Sequence, residues 1–406
     1  MRSRKGDLTL IVIGFILACA RMAGAAGPGE LGFSGQDVPL ELAPAEGEIA
    51  YSERQFLPGP FAASASPEGP MWYFQVEGLA LKRDASADHP FQALVTRVWT
   101  EDPPGTWTAA DTPAFVLGTN DLDFGFQGGG RGTIGRRLGD YHAFEATYFQ
   151  VTDWDEIAAV RDSTQFVAAV DGAGNPTTTY PASLFSPFSD FGNPAIIGLD
   201  YNNLAEIRCT SSLSNIEWNL RRWLPMPYEP LQVSVLVGGR YMDIGETFLY
   251  HTESAVPVDP TTNTVTTATE NTMLGVQIGA LFEFHVEPAW WIDCEIKGAA
   301  FNNAASQDTV YVHAGDPGSP YAGTHTGRRE EQTSAFALDL RLSATLQVTE
   351  CLAVHGGYNA LWVDGLVLAS DNLSQDIDIL TSGPATLVDK GKTVYHGPHL
   401  GLSWIW

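Results

Sequence analysis

Val394-Tyr-His-Gly-Pro-His-Leu-Gly-Leu-Ser-Trp-Ile-Trp406 closes the sequence with the period-2 pattern of a β-strand. Counting back from Trp406 by twos gives Trp404, Leu402, Leu400 and Pro398. The opposite face reads Ile405, Ser403, Gly401 and His399. One face is apolar and the other mixed. A strand ending on an aromatic residue, in a chain that opens with an export signal, points to a bacterial outer-membrane β-barrel.

The opening residues supply that signal. Arg2, Arg4 and Lys5 precede the apolar run 8–20, and Ala23-Gly24-Ala25 offers a small-residue cleavage site. The run is too short to cross a bilayer comfortably as a helix. Residues 1–25 therefore read as a cleaved signal peptide. A lipoprotein site at Ile16-Leu17-Ala18-Cys19 fits poorly, because Leu17 is bulky and Arg21 follows. Residues 26–69 are rich in Pro, Gly, Ala and Glu, lack periodicity, and read as a periplasmic linker. Residues 70–406 are left for the barrel.

No later window holds the ~18 consecutive apolar residues of a membrane helix. A membrane fold must then be a closed sheet, which satisfies every backbone group in lipid. The 44% hydrophobic content and a mean hydropathy of -0.06 fit alternating strands, and fit a secreted soluble β-protein equally. A formal charge of -26 argues against a nucleic-acid partner. Beyond Cys19, the cysteines Cys209, Cys294 and Cys351 are odd in number and widely spaced. They suggest neither a disulfide framework nor a zinc site.

Ten segments carry strand periodicity, beginning at Met71, Asp121, Tyr141, Ala205, Leu231, Leu274, Trp290, Phe336, Leu352 and Val394. The clearest row is Leu274, Val276, Ile278, Ala280, Phe282, Phe284 and Val286. A second runs Phe336, Leu338, Leu340, Leu342, Ala344, Leu346 and Val348, against Ala337, Asp339, Arg341 and Ser343. Most segments reach the ~9–11 residues a tilted membrane strand requires. Short connections at Gly139-Asp140, 225–230, 287–288 and 349–350 alternate with long polar stretches near 83–120, 155–203, 251–271, 305–332 and 365–392. That asymmetry places the short turns in the periplasm. The fold expected is an all-β, up-and-down antiparallel transmembrane barrel of ten strands. Ala93 to Trp99 and Ala114 to Leu117 would raise the count to twelve.

Arg131, Glu145, Arg240, Asp293, Glu295, Lys297, Asp339 and Arg341 fall on inward faces. They read either as a polar lumen that sets selectivity or as a plugged interior in which opposite charges pair. About eight strands leave room only for side chains, and ten sits close to that end. Gly128-Gly-Gly-Arg-Gly132 either leaves space or permits tight curvature. Trp72, Trp223, Trp290, Trp404 and Trp406 lie near strand ends and read as membrane-interface aromatics. On this register Leu338 faces lipid and Asp339 the lumen. Leu338→Arg would cost about 2–4 kcal/mol at mid-membrane, and Asp339→Asn less.

Neither HExxH nor GxSxG occurs. His251 and Glu253 could meet other loop carboxylates, but nothing marks them as catalytic, so the chain does not read as an enzyme. Asp371, Asp376 and Asp378 lack calcium-loop spacing and read as a solvated acidic loop. No cofactor or metal is expected.

Gly130-Arg-Gly-Thr-Ile-Gly-Arg-Arg-Leu-Gly139, the strand with Glu145 and Tyr148, and Val233 to Tyr241 carry a resemblance to a known family. So do Asn271 to Phe284, Glu295-Ile-Lys-Gly-Ala-Ala-Phe-Asn-Asn303, and Tyr358-Asn-Ala-Leu-Trp-Val-Asp-Gly365. The chain resembles the putative beta barrel porin family, seventh group, abundant in planctomycetes. The resemblance implies a barrel in a Gram-negative outer membrane, and porin function in name. Expected partners are outer-membrane lipid, the barrel-assembly machinery through the C-terminal aromatic strand, and ions or small polar solutes. Passive passage of such solutes is the function expected. The alternative is a non-conducting structural or surface-recognition barrel acting through its long acidic loops.

Overall fold

The computed structural model describes residues 72–405 except 87–91, 97–98, 102–106, 110–113, 163–165, 171–175, 181–183, 193–194, 226–229, 255–259, 288 and 384–386. The expected signal peptide, the linker and Trp406 lie outside the described residues. Ten long strands form the fold: β1 (Trp72–Ser86), β2 (Phe126–Arg137), β3 (His142–Arg161), β4 (Asn202–Leu224), β5 (Leu231–Ser254), β6 (Thr262–Glu287), β7 (Trp290–Ala314), β8 (Gly323–Gln347), β9 (Leu352–Leu366) and β10 (Gly391–Ile405). Each pairs antiparallel with its neighbour in sequence. β10 pairs back on β1, from Tyr73↔Ile405 to Ser86↔Lys392. The ring is closed, which leaves no sheet edge to meet lipid. No helix among the described residues is long and apolar enough to cross a membrane.

The two extra candidate strands do form, as Gln92–Thr96 and Ala114–Gly118. They pair with each other, and the first pairs with Leu184–Phe185, which reaches the start of β4 at Leu184↔Asn202. They sit beside the ring and do not enter it.

Outward side chains near the short turns make an apolar belt. It includes Trp72, Phe74 and Val76 of β1, Leu274 to Val286 of β6, Phe336 to Leu346 of β8, and Leu400, Leu402 and Trp404 of β10. Leu274 to Val286, at about 3.3 Å per residue and a tilt near 40°, spans roughly 30 Å, the thickness of a hydrocarbon core.

Past the belt the strands do not stop. β5 to β8 run 24 to 26 residues, against 15 for β1, β9 and β10. In these extensions the two faces exchange character. Thr264, Thr266, Glu270 and Thr272 of β6 point out, and Val265 and Met273 point in at 0% exposure. β5 keeps one parity through Gly238-Gly239: the odd-numbered Val235 and Val237 face out below it, while the even-numbered Met242, Ile244, Phe248 and Tyr250 are buried inside above it. The outer wall there is held by polar cross-strand pairs, Asn302–Gln332 at 2.7 Å and Arg328–Asp308 at 3.3 Å. The stretches 251–271 and 305–332, expected as long loops, are therefore mostly strand. An outer face in water needs no apolar row, so the pattern that marks a membrane strand fades while the backbone pairing continues.

Local irregularities aim particular side chains. A register shift between Ser211 and Leu213 lets β3 change phase, so that Trp154 turns inward with its indole N–H on the Gly125 carbonyl at 3.1 Å. β2 begins at Phe126, not at Asp121. Phe124, within the segment expected from Asp121, lies before the strand and is buried beneath the Arg83 guanidinium, 4.7 Å from the ring centroid. In the glycine run, a Cβ on Gly129 would lie 2.6 Å from the Gln150 carbonyl oxygen, so that position is closed to other residues. Gly139, at φ +74°, makes the tight β2–β3 turn.

Candidate functional site: the barrel interior

The inward faces divide into two levels. At the short-turn end Tyr73, Ala143 and Trp223 pack together, and Trp291 is fully buried against the His285 ring at 5.5 Å. Above this floor lies a lattice of charge. Arg221 grips Glu145 with two bonds of 2.6 and 3.0 Å, reaches Glu295 at 2.8 Å and donates to Ser234 at 3.0 Å. The Tyr73 hydroxyl donates to the same Glu145 carboxylate at 2.6 Å. Lys297 bridges Glu217 at 3.0 Å, with Glu295 and Asp339 each at 3.7 Å. Arg240 donates to Asn215 at 2.6 Å and pairs with Asp339 at 3.3 Å. Glu77 gathers Arg341, Arg131 at 3.2 Å and His355 at 3.0 Å.

These pairs cross the ring between distant strands, so no short stretch of sequence announces them. A guanidinium or carboxylate buried without a partner would cost several kcal/mol, which the lattice avoids by giving most members two or more partners. Glu283 is the exception. It is 0% exposed, sits in register with Asp293, and neither of its carboxylate oxygens has a hydrogen-bond partner. Asp293 accepts from Thr345 at 2.7 Å. Between the lattice side chains there remains a cavity of about 50 Å³, room for a few waters.

The long-loop level is apolar. Trp154, Phe248, Tyr250, Tyr311, Phe188 and Leu184 belong to one buried cluster with Leu366, Leu368 and Leu380. Two inserted segments complete it. In the first, buried Asp200 accepts from the Ser186 and Ile196 amides and the Ser189 hydroxyl at 2.6 to 2.9 Å. In the second, residues 367–383, the barrel wall holds the backbone directly. Glu246 accepts from the Ala369 amide at 2.9 Å and pairs with Arg83. Asn271 donates to the Val367 carbonyl at 2.9 Å and accepts from its amide at 2.8 Å. Gln307 donates to the Asn372 carbonyl at 2.9 Å. The short helix α1 (Ile377–Ser382) follows, with Asp376 capping it by accepting from the Asp378 amide at 2.9 Å. Of the three loop aspartates, Asp376 thus gives its carboxylate to the chain's own turn.

A family model described as Putative beta barrel porin-7 matches residues 73–404. The chain belongs to this family. The porin-7 barrel is accordingly an outer-membrane β-barrel. No curated protein matches it. Among solved structures it is similar to the outer membrane protease OmpT from Escherichia coli, with 12% identity, a TM-score of 0.37, and coverage of 86% of this chain and 100% of that one. It is also similar to the toluene transporter TodX of Pseudomonas putida, at 7% identity and a TM-score of 0.24 over 84% and 91% of the two chains. A Pseudomonas aeruginosa FadL homologue gives 8% and 0.24, over 85% and 92%.

In the porin-7 barrel all eight inward residues expected from the sequence, Arg131, Glu145, Arg240, Asp293, Glu295, Lys297, Asp339 and Arg341, point inside, and the structure joins seven of them in ion pairs. Sequence reasoning gave no role to Glu77, Glu217, Arg221, Glu283 or His355. Face parity alone would have found Glu217 and Arg221, since β4 turns its odd-numbered residues inward. The same parity corrects Trp223. It was expected at the membrane interface, but it is 5% exposed and faces the interior. Trp72 and Trp404 do face outward, at 36% and 53% exposure, and Trp290 is half-buried.

Asp339, paired with Arg240 and Lys297, should be costlier to change than its inward position alone suggested. Asn at 339 would leave Arg240 with Glu217 at 3.8 Å and Lys297 with Glu217 and Glu295, so Asp339→Asn should lower stability by about 1–3 kcal/mol in an unfolding titration. A neutral result would show that the two cations are satisfied without it.

Proposed function

We propose that the porin-7 barrel is non-conducting in the conformation described, and that it acts as a surface-recognition barrel through its long-loop end. One observation carries this reading: the charged side chains that face the lumen are shut off from solvent. Arg240 is 0% exposed, Glu77 and Glu217 are 2%, and Asp339 is 4%. In a water-filled channel the same groups would be wet, because polar lumens are lined by hydrated charge. The extensions of β5 to β8 lift the loops clear of the belt, which suits recognition outside the membrane. The reading includes no catalysis. Periplasmic placement of the short turns, cleavage of the leader, delivery by the barrel-assembly machinery and a planctomycete source belong to the same proposal.

Planar-bilayer recording of the refolded barrel should give a silent trace. Reproducible unitary steps from the unaltered protein would overturn the reading.

A second reading, passive passage of ions or small polar solutes, draws support from the family and from how segment 367–383 is held. Its anchors are hydrogen bonds to Glu246, Asn271 and Gln307, which can open. On this reading Glu246→Gln combined with Asn271→Ala should bring on steps that the parent lacks. Silence from both proteins would remove it.

A further inference from the structure

At the long-loop rim of β6, β7 and β8, beyond the apolar belt, a chain of hydrogen bonds holds one histidine in a single tautomer. The Asn263 amide nitrogen donates to the Gly198 carbonyl at 2.7 Å. A carbonyl can only accept, so this bond fixes which end of the Asn263 side chain is nitrogen. Its oxygen is then the acceptor for the Tyr311 hydroxyl at 3.0 Å and for His313 Nδ1 at 2.7 Å. His313 Nδ1 therefore carries the proton, and Nε2 carries the lone pair.

The second nitrogen gives the decisive detail. His313 is 2% exposed, and its Nε2 is buried without a hydrogen-bond partner among the described residues. A proton there would make a buried imidazolium whose new N–H has nothing to receive it. The Cε1–Nε2 edge of the ring lies against Gly198: a Cβ built on that glycine would stand 3.3 Å from Cε1 and 3.8 Å from Nε2. Gly198 is also where the first inserted segment is tied to the wall, since its carbonyl accepts from the Thr261 hydroxyl at 3.0 Å as well as from Asn263. The same segment carries Leu184, Phe188 and Leu199 into the buried apolar cluster.

We propose that His313 is an acid-operated latch: on taking up a second proton it parts from Gly198 and releases the first inserted segment from the long-loop end of the barrel. Water reaches a proton on Nε2 only when the ring and Gly198 separate, and that separation pulls on the Asn263 bond both of them share. The ionisable groups around the ring are Asp316 in the β7–β8 turn, His325 of β8, Tyr311 of β7 and Tyr321. From β6 and the residue before it come the neutral Asn263 and Thr261. The inserted segment brings Gly198, and its Asp200 carboxylate is engaged by Ser186, Ser189 and Ile196. Burial holds the His313 pKa below the ordinary 6.5, against the pull of Asp316 and with the push of His325. The latched state thus binds the proton more weakly than the released state. Its advantage is complete above about pH 6.5 and is lost as the pH falls below that value. The inference adds a control to the long-loop end and does not rest on the recognition reading.

The test is hydrogen exchange, followed by mass spectrometry, on the full chain refolded in detergent. Protection factors are compared at about pH 8 and about pH 5, on either side of the ordinary histidine range. The Ile196, Leu199 and Asp200 amides, all hydrogen-bonded in the latched state, should lose protection about tenfold or more at the acid value. Belt amides 292–298 of β7, paired on both sides, should keep theirs. His313→Gln retains a donor toward Asn263 and cannot take up the proton, so it should stay protected at both values. Asn263→Ala cuts the tie to Gly198 and should be unprotected at both. Equal protection of the unaltered chain at the two values overturns the proposal. So does a full acid loss in His313→Gln, which would put the titration on another group. Should His313→Gln be unprotected throughout, His325→Gln decides: it should release with acid as the unaltered chain does, and failure to release would overturn the assignment to His313.

Discussion

Replacing Arg221 with methionine should lower the stability of the folded barrel by about 3–5 kcal/mol, the cost of breaking a buried ion pair from one side. Methionine nearly matches the side chain in length, so the loss is electrostatic and not a cavity. Among the described residues Arg221 is the one cation that contacts both Glu145 and Glu295, and both lie on the level of Glu283, whose carboxylate has no hydrogen-bond partner. Without Arg221, Glu145 loses its cation and Glu295 keeps only Lys297 at 3.7 Å. Urea unfolding from lipid vesicles would measure the change. Adding Glu145→Gln should recover part of it, and that recovery separates charge imbalance from poor packing. A loss below about 1 kcal/mol would mean that water reaches the lattice, contrary to the 5% exposure of Arg221.

On the opposite face of the wall, Leu342→Arg should cost about 2–4 kcal/mol, and Leu338→Arg less. The two leucines are 39% and 37% exposed and both point outward. They differ in depth. The apolar row of β8 runs from Phe336 to Val348, so Leu342 stands at its middle, and Leu338 lies close to the edge where polar residues begin. Depth governs the cost because an arginine near the edge can extend to the interface. The same titration, run on both variants, should rank them in this order. Equal costs, or the reverse order, would displace the belt along the strands.

What the sequence revealed follows the same boundary. Wherever lipid lay outside, each strand showed an uninterrupted apolar row, and Leu274 to Val286 or Phe336 to Val348 could be read directly. Beyond the belt, water lies outside and the core lies inside, so the rows change faces. Thr262 to Asn271, and 302–313 with 323–333, then look like polar loops, although their backbones are paired. Inward charge was legible residue by residue for the same parity reason. Which charges meet was not, because Glu77 and Arg341 lie 264 positions apart and only closure brings them together. Nor could periodicity show that segment 367–383 folds inward. Its anchors, Asn271 and Glu246, are single polar residues in strands assigned on other grounds.

The pairing of β1 with β10 also has a consequence for the order of events as the chain is made. Gln75 and Ser403 are hydrogen-bond partners 328 residues apart, so one of the two neighbours of β1 is synthesised long after β1 itself. Until then β1 keeps a bare edge, and Glu77 waits for Arg341 and His355. Contacts of such separation form late and slowly. Through that interval the unfinished sheet must be shielded from pairing with other chains. Closure of the barrel is therefore timed by the arrival of β10 and not by the emergence of β1.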